Sequence, residues 1–183
     1  MKFILENLIG IVSITILTLN TIILSCLLIP LGLIKFFLPI TNIKVLFTKF
    51  IINIGELWIF TNKIWVKALH KPHWEIIGKE NIKSNGWTIA TSNHQSFADI
   101  FLLQDITNMK MPMLKFFMKY VLIYVPIIGL SWWALDMPFL KRYTKKQLEK
   151  NPKLAGKDVR EMKRALKHYA LYPVTVFSFA EGT

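Results

Sequence analysis

The sequence predicts an α/β chain in which N-terminal membrane helices precede a mixed sheet flanked by helices. Three observations lead to this fold class. The first is a long uncharged run from Leu8 to Ile34. The second is a strand, tight loop and helix pattern over residues 87–104, and the third is an apolar strand at 174–179 that follows an amphipathic helix. Strands that alternate with helices are typical of α/β architecture.

The uncharged run is long enough to span a bilayer, since a membrane helix needs about 20 apolar residues. Only Lys2 precedes it, which does not indicate a secretory signal. Most lysines follow the run, and the positive-inside rule then places the bulk of the chain in the cytoplasm. Two arrangements stay open, a single span and a re-entrant hairpin that breaks near Pro30 or Pro39. Cys26, the sole cysteine, lies in the run, so no intrachain disulfide is expected.

The formal net charge of +12 indicates an acidic partner or surface. Eleven of the 23 basic residues lie between Lys141 and Lys167. A run of this kind is either a solvated face or a contact for anionic lipid headgroups. We expect no nucleic-acid partner, because no recognition motif accompanies the basic stretch.

The stretch after Pro39 predicts an amphipathic helix. Its apolar face carries Phe47, Phe50, Ile51, Ile54, Trp58 and Trp65, and its polar face carries Lys49, Asn53, Glu56, Lys63 and Lys67. The apolar face fits the membrane interface and equally fits packing on a globular domain. We assign residues 1–69 to the membrane anchor with this interfacial helix, and residues 70–183 to a second domain.

The second domain begins with strand and helix signals. Trp74–Gly78 predicts a short strand stopped by glycine, and Trp87–Thr91 predicts a strand that delivers His94 at its carboxyl end. A helix is predicted from Ser96 to about Gln104. His70 and His73 have no cysteine or carboxylate cluster beside them, so we predict no metal site there.

Further elements follow along the chain. Met113–Trp133 predicts short helices that form an apolar wall, and Trp133–Leu140 predicts an extended segment. Asp158–Leu171 predicts an amphipathic helix with His168 on its solvated side. Val174–Phe179 predicts a buried strand because it is almost continuously apolar.

His94 and Asp99, five positions apart, form a candidate base and its orienter. A neutral imidazole accepts a proton from an alcohol, and a carboxylate on its other nitrogen selects the tautomer. The alternative is a helix end, because Ser96 to Asp99 also forms a capping box. Ser96 is better assigned as this cap than as a nucleophile, since the G-x-S-x-G elbow of serine hydrolases is missing.

Three ordered blocks resemble the glycerolipid acyltransferases, typified by 1-acylglycerol-3-phosphate acyltransferase. Asn93-His94 with Asp99 is similar to their NHx4D block, Phe139-Leu140-Lys141-Arg142 to their GxxF-I/L-x-R block, and residues 179–183 to their FxEGTR block. The resemblance runs from about His70 to Thr183. Residues 112–136 are similar to a bacterial inner-membrane subgroup.

The resemblance implies transfer of a fatty acyl group from a thioester of coenzyme A or acyl carrier protein to the free hydroxyl of a lysophospholipid such as lysophosphatidate. It implies His94 as general base and Asp99 as its orienter, with an acceptor site made by Arg142, Phe139, Glu181, Gly182 and Thr183. The expected partners are membrane lipids, the lysophospholipid acceptor and the acyl thioester donor. No metal or bound cofactor is expected. The expected location is the cell inner membrane, with the catalytic domain facing the cytoplasm.

The sequence departs from the family pattern in three places. Asp136 stands where many members have glycine, and the third block ends at Thr183 without its arginine. A fourth block is absent. We therefore expect a C-terminally truncated acyltransferase domain that is weakly active or inactive. The alternative is a non-enzymatic membrane-bound protein, or an inactive fragment, that binds anionic lipid.

Overall fold

The computed structural model describes residues 2–82, 85–96 and 98–180. The α-helices are α1 (Lys2–Phe37), α2 (Thr41–His70), α3 (Ala98–Thr107), α4 (Ile128–Ala134), α5 (Lys145–Lys150) and α6 (Lys157–Tyr169). The strands are β1 (Thr88–Ser92), β2 (Leu114–Phe116), β3 (Met118–Lys119), β4 (Phe139–Leu140) and β5 (Thr175–Phe179). Short 3₁₀ turns cover Lys79–Asn81, Tyr120–Tyr124 and Pro152–Leu154.

α1 and α2 form an antiparallel helical hairpin whose turn is Leu38–Ile40. The chain reverses around Pro39, whereas Pro30 lies inside α1. Polar contacts hold the two helices together: the Ser13 hydroxyl lies 2.8 Å from Nε2 of His70, and Asn20 Nδ2 donates to Asn62 Oδ1 at 2.8 Å. Such interhelical hydrogen bonds are typical of helices that pair in an apolar setting.

The main sheet has three parallel strands in the order β1-β5-β2. β5 lies in the centre, which agrees with its nearly continuous apolar sequence, because a central parallel strand is covered on both faces. Its register pairs Thr88 with Thr175 and Ser92 with Phe179, so β1 and β5 end together. β3 and β4 form a second, two-stranded parallel sheet.

One apolar core joins the hairpin to the rest of the chain. It contains Leu28 of α1, Ile51 of α2, and Met113, Ala134, Leu135 and Met137 from the second half. α1 also packs on α4, where Gly32 permits close approach: a Cβ atom at Gly32 would lie 2.5 Å from Cβ of Ala134. The long apolar helix is therefore part of the packed fold.

The predicted α/β class is confirmed, with two helices before a sheet and helices around it. α1 is long and apolar enough to cross a membrane by length and composition, with a mean hydropathy of 2.3 over its most apolar window. Sequence analysis predicts a mixed sheet, whereas every pairing between the described strands is parallel.

One predicted strand is wrong, and one predicted extended segment is extended only at its end. Trp74–Gly78 is an irregular segment, because Gly78 adopts a left-handed φ of 77° and the chain turns there; Ile77 is left 91% exposed. In Trp133–Leu140, the helix continues to Ala134 and Asp136 turns the chain with a φ of 57°, so only Phe139–Leu140 is extended. The apolar wall of Met113–Trp133 is partly strand, since β2 and β3 lie within it.

Candidate active site

His94 and Asp99 meet at the carboxyl end of β1. The loop that leaves the strand carries His94, and Asp99 lies in the first turn of α3. Nδ1 of His94 lies 3.2 Å from Oδ2 of Asp99, and both side chains are partly buried. The structure thus brings together the two residues that the sequence predicts as a pair.

The loop backbone holds the Asp99 carboxylate in place. Oδ2 accepts the backbone N–H groups of Gln95 at 2.7 Å and Ser96 at 2.8 Å. The hydrogen bonds from Ser96 and Gln95 lower the pKa of Asp99, and the contact with His94 lowers it further. Asp99 is therefore a carboxylate at neutral pH, and a carboxylate only accepts hydrogen bonds. Nδ1 of His94 must then carry the proton, which leaves Nε2 as the basic nitrogen.

The helix cap and the candidate catalytic pair both use the carboxylate of Asp99. The bond from the Ser96 backbone N–H to Asp99 is one half of a capping box. The Ser96 hydroxyl also lies 3.5 Å from Oδ1 of Asp99. Because Oδ2 faces both the loop backbone and His94, closing the helix end also positions the imidazole.

Phe179 lies against the other side of the histidine. Its ring stacks on that of His94, with centroids 4.0 Å apart and planes 22° apart. The parallel register of β1 and β5 produces this contact, and the backbone N–H of Ala180 donates to the Ser92 carbonyl at 2.9 Å just beyond it. The block that contains His94 and the block that begins at Phe179 therefore lie at the same edge of the sheet. Glu181, Gly182 and Thr183 lie outside the described residues.

Arg142 is held near the junction between β2 and β3. Its backbone N–H donates to Oδ2 of Asp158 at 2.8 Å, and its Nη2 donates to the Phe117 carbonyl at 3.2 Å. Arg142 lies two residues after the end of β4 and adopts a left-handed φ of 53°. In β4, the partly buried Phe139 pairs with Met118 of β3.

Aromatic contacts connect the Arg142 region to His94. Phe116, the residue before Phe117, stacks on Phe179 with centroids 6.2 Å apart. Phe179 in turn stacks on His94. The segment that holds the Arg142 guanidinium and the His94 imidazole are thus connected through the stacked rings of Phe116 and Phe179.

A buried polar cluster around Asp136 is the main feature that sequence analysis missed. Asp136 Oδ1 lies 2.8 Å from Nζ of Lys35, and its Oδ2 accepts from the Tyr172 hydroxyl at 3.1 Å and lies 3.3 Å from Nε2 of His168. His168 is therefore partly buried against a carboxylate, and its predicted solvated position is wrong. In the structure Asp136 is a non-glycine residue that adopts a positive φ of 57°.

The same cluster closes the carboxyl end of α4. Lys35 Nζ donates to the Ala134 carbonyl at 2.7 Å, Lys115 Nζ to that of Leu135 at 2.6 Å, and the Tyr169 hydroxyl to that of Asp136. The last carbonyls of a helix lack partners within the helix, and cations are favoured there. Side chains from α1, β2 and α6 thus meet at one helix end.

Burial and charge shift two pKa values in the cluster. Burial alone would raise the pKa of Asp136, but the hydrogen bond from His168 and the charges of Lys35 and Lys115 lower it to about 2. Burial lowers the pKa of the fully buried Lys115 to about 8, although the charge of Asp136 opposes this. The aspartate is ionised at neutral pH and compensates the buried lysine.

Histidine and carboxylate side chains do not form a metal site in the part of the chain that the structure describes, where no group of three such ligands occurs. His70, one of the two histidines considered for a metal, contacts Ser13 and packs on the ring of Trp65. His73 lies exposed in the loop after α2.

Comparison with known proteins identifies the family. No curated protein and no solved structure matches the chain significantly. A family model described as Acyltransferase matches residues 73–183, which is more than half of the chain and includes His94, Asp99 and Arg142. Within the matched residues, His94 contacts Asp99, and Arg142 contacts the Phe117 carbonyl. The chain therefore belongs to the acyltransferase family.

Proposed function

We propose that this protein transfers a fatty acyl group from an acyl thioester, carried by coenzyme A or acyl carrier protein, to the free hydroxyl of a lysophospholipid such as lysophosphatidate. His94 takes the proton of the acceptor hydroxyl at Nε2 while Asp99 stabilises the imidazolium. The resulting alkoxide attacks the thioester carbonyl, the thiolate leaves, and no acyl-enzyme forms. The observation that carries the proposal is the His94–Asp99 contact at the carboxyl end of β1.

The acceptor phosphate is assigned to the Arg142 region. The guanidinium lies beside the β2–β3 junction, where Lys119 and Lys141 add positive charge. Arginine binds phosphate through paired N–H donors, which orients the acceptor as well as attracting it. Phe139, Glu181, Gly182 and Thr183 complete the acceptor site in this proposal.

The helical hairpin supports a location at the inner membrane, with the catalytic residues on the cytoplasmic side. α1 presents many large apolar side chains to its surroundings, including Phe3, Ile23 and Phe37. α2 is tied to α3 by ion pairs of Lys63 and Lys67 with Asp105. α1 runs back along α2 and packs on α4, so it lies beside the domain.

Acyl transfer is tested with labelled acyl-coenzyme A and lysophosphatidate in lipid vesicles that contain the purified protein. The wild-type chain is expected to form labelled phosphatidate, even if slowly. His94→Ala is expected to lower this rate roughly 10²–10⁴-fold, because the general base is lost. Its association with the vesicles should be unchanged.

His73→Ala is the matched control, since this histidine is exposed outside the site and should retain the wild-type rate. Equal rates for wild type and His94→Ala would contradict the base assignment. Vesicle binding without labelled product from the wild-type chain would favour the non-enzymatic alternative, in which the protein binds anionic lipid.

A further inference from the structure

Large apolar side chains are exposed from the 3₁₀ turn after β3 into the first turn of α4. We call these residues the 121–130 patch: Val121, Tyr124, Val125, Ile127 and Leu130. Val121 is 65% and Tyr124 is 71% exposed. Large apolar side chains that are exposed together in a short segment mark a contact with a partner or a membrane.

The backbone beneath the patch is closely packed. At Gly129 of α4, a Cβ atom would lie 2.2 Å from the carbonyl oxygen of Ile123 and 2.7 Å from that of Leu122, so the 3₁₀ turn rests directly on the helix. The exposed side chains therefore project from a fixed surface.

The patch adjoins the second half of α1 through α4. The hydroxyls of Ser25 and Ser131 lie 2.8 Å apart, and the rings of Phe36 and Trp133 are 5.8 Å apart. Close to these contacts, α1 exposes Leu27 and Ile34. The apolar surface of the hairpin thus continues across α4 onto the 121–130 patch.

Positive charge borders the patch. Lys141 Nζ lies 4.9 Å from the ring centroid of Tyr120, and Lys119 is exposed beside it. Tyrosine and lysine side chains together are typical of the bilayer interface, where lysines are attracted to anionic headgroups. A water-facing protein partner would explain the apolar residues but not this border of cations.

We infer that the 121–130 patch is a second membrane-contact surface, which inserts into the interface of a bilayer containing anionic phospholipid. This inference rests on the proposal that the protein transfers acyl groups at a membrane. Contact at two places, the hairpin and the patch, fixes the orientation of the domain on the bilayer. The Arg142 region, which follows Lys141 at the border of the patch, would then lie near the layer that holds lysophospholipid headgroups.

Spin labels at single cysteines test this inference. Cys26→Ser removes the sole cysteine. Leu130→Cys then labels the patch, and Leu166→Cys on α6 is its matched control, because both leucines are 47% exposed. Leu27→Cys reports on α1, and Tyr124→Cys is a second probe of the patch. Collision rates with oxygen, which enters lipid, and with a water-soluble nickel complex give the depth of each label.

On vesicles of phosphatidylcholine and phosphatidylglycerol, the labels at positions 27, 124 and 130 should collide several-fold less with nickel than the label at 166, and more with oxygen. Phosphatidylcholine alone should weaken the effect at 124 and 130. Equal nickel collision rates at 130, 124 and 166 would overturn the inference, as would a water-exposed label at 27.

Two further outcomes would distinguish the inference from its alternatives. Shielding of position 130 from both oxygen and nickel, with dipolar broadening between labels, would mean that a second copy covers the patch and would also overturn the inference. Label depth does not depend on turnover. Inserted labels in a protein without acyl transfer would therefore support the surface while contradicting the proposed function.

Discussion

Asp99 is the residue whose negative charge can be separated from its hydrogen bonds by substitution. One oxygen of its carboxylate, Oδ2, accepts two backbone N–H groups and faces Nδ1 of His94. An asparagine with its amide oxygen in the place of Oδ2 keeps an acceptor for the loop backbone and for Nδ1–H of His94. That oxygen is neutral, so it stabilises an imidazolium less than a carboxylate does.

Asp99→Asn is therefore expected to lower the rate of acyl transfer roughly 10²–10⁴-fold with little loss of folding stability. Ser96→Ala is the matched control, because it removes the 3.5 Å hydroxyl contact and leaves the carboxylate in place. Acyl-transfer rates and thermal unfolding of both variants check this. A fully active Asp99→Asn protein would show that the negative charge of Asp99 is not needed for acyl transfer.

At the residue scale, local pairs could be predicted from the sequence and distant ones could not. His94 and Asp99 are five positions apart, so one loop and one helix turn bring them together. Asp136 and Lys35 are separated by 101 positions. Their contact depends on how α1 packs on α4, which no spacing in the sequence encodes.

At the element scale, the Asp136 cluster joins α1, α4 and α6. The pKa of Asp136 is lowered from an ordinary value of 3.8 to about 2, so its ionised form stabilises the folded state. This stabilisation is complete above about pH 4 and is lost as the pH falls through about 2, since the unfolded chain binds the proton first. The shift corresponds to about 2 kcal/mol.

Asp136→Asn is expected to remove this part of the acid dependence. We measure the free energy of unfolding in detergent at intervals between pH 5 and pH 2. Over this range it should fall by about 2 kcal/mol less for the variant than for the wild type. Asp158→Asn provides a carboxylate control outside the cluster. An identical acid profile for wild type and Asp136→Asn would contradict the role of this ion pair.

Prediction of the elements succeeded where one segment determines its own structure. The amphipathic period of α6 and the apolar run of β5 are confirmed, as is the strand that precedes His94. Trp74–Gly78 failed because an apolar run becomes a strand only beside a partner strand, and the turn at Gly78 leaves Ile77 exposed. The prediction of an extended segment over Trp133–Leu140 failed because Asp136 adopts a positive φ and turns the chain.

At the scale of the whole molecule, the apolar helix α1 is packed on the acyltransferase domain through Gly32. Gly32→Ala would place a Cβ atom 2.5 Å from Cβ of Ala134, whereas Gly10 has no atom within 4 Å of the corresponding position. Gly32→Ala is expected to destabilise the protein by about 1–3 kcal/mol through overpacking. Gly10→Ala, on the same helix, should be neutral or stabilise by up to about 1 kcal/mol.

Thermal unfolding of the two alanine variants, in the same detergent, measures this difference. Equal stabilities would show that α1 is not docked on α4. Loss of stability in Gly32→Ala alone would show that the hairpin and the acyltransferase domain unfold as one unit. We expect this result because Leu28, Ile51 and Leu135 belong to one shared core.

The central claim is that His94, oriented by Asp99, carries out acyl transfer to a lysophospholipid. Its most direct test is the rate of labelled phosphatidate formation from acyl-coenzyme A and lysophosphatidate on vesicles, measured for wild type and His94→Ala. The account predicts measurable product from wild type and a loss of roughly 10²–10⁴-fold in the variant. Product formed at the same rate by both proteins would contradict it.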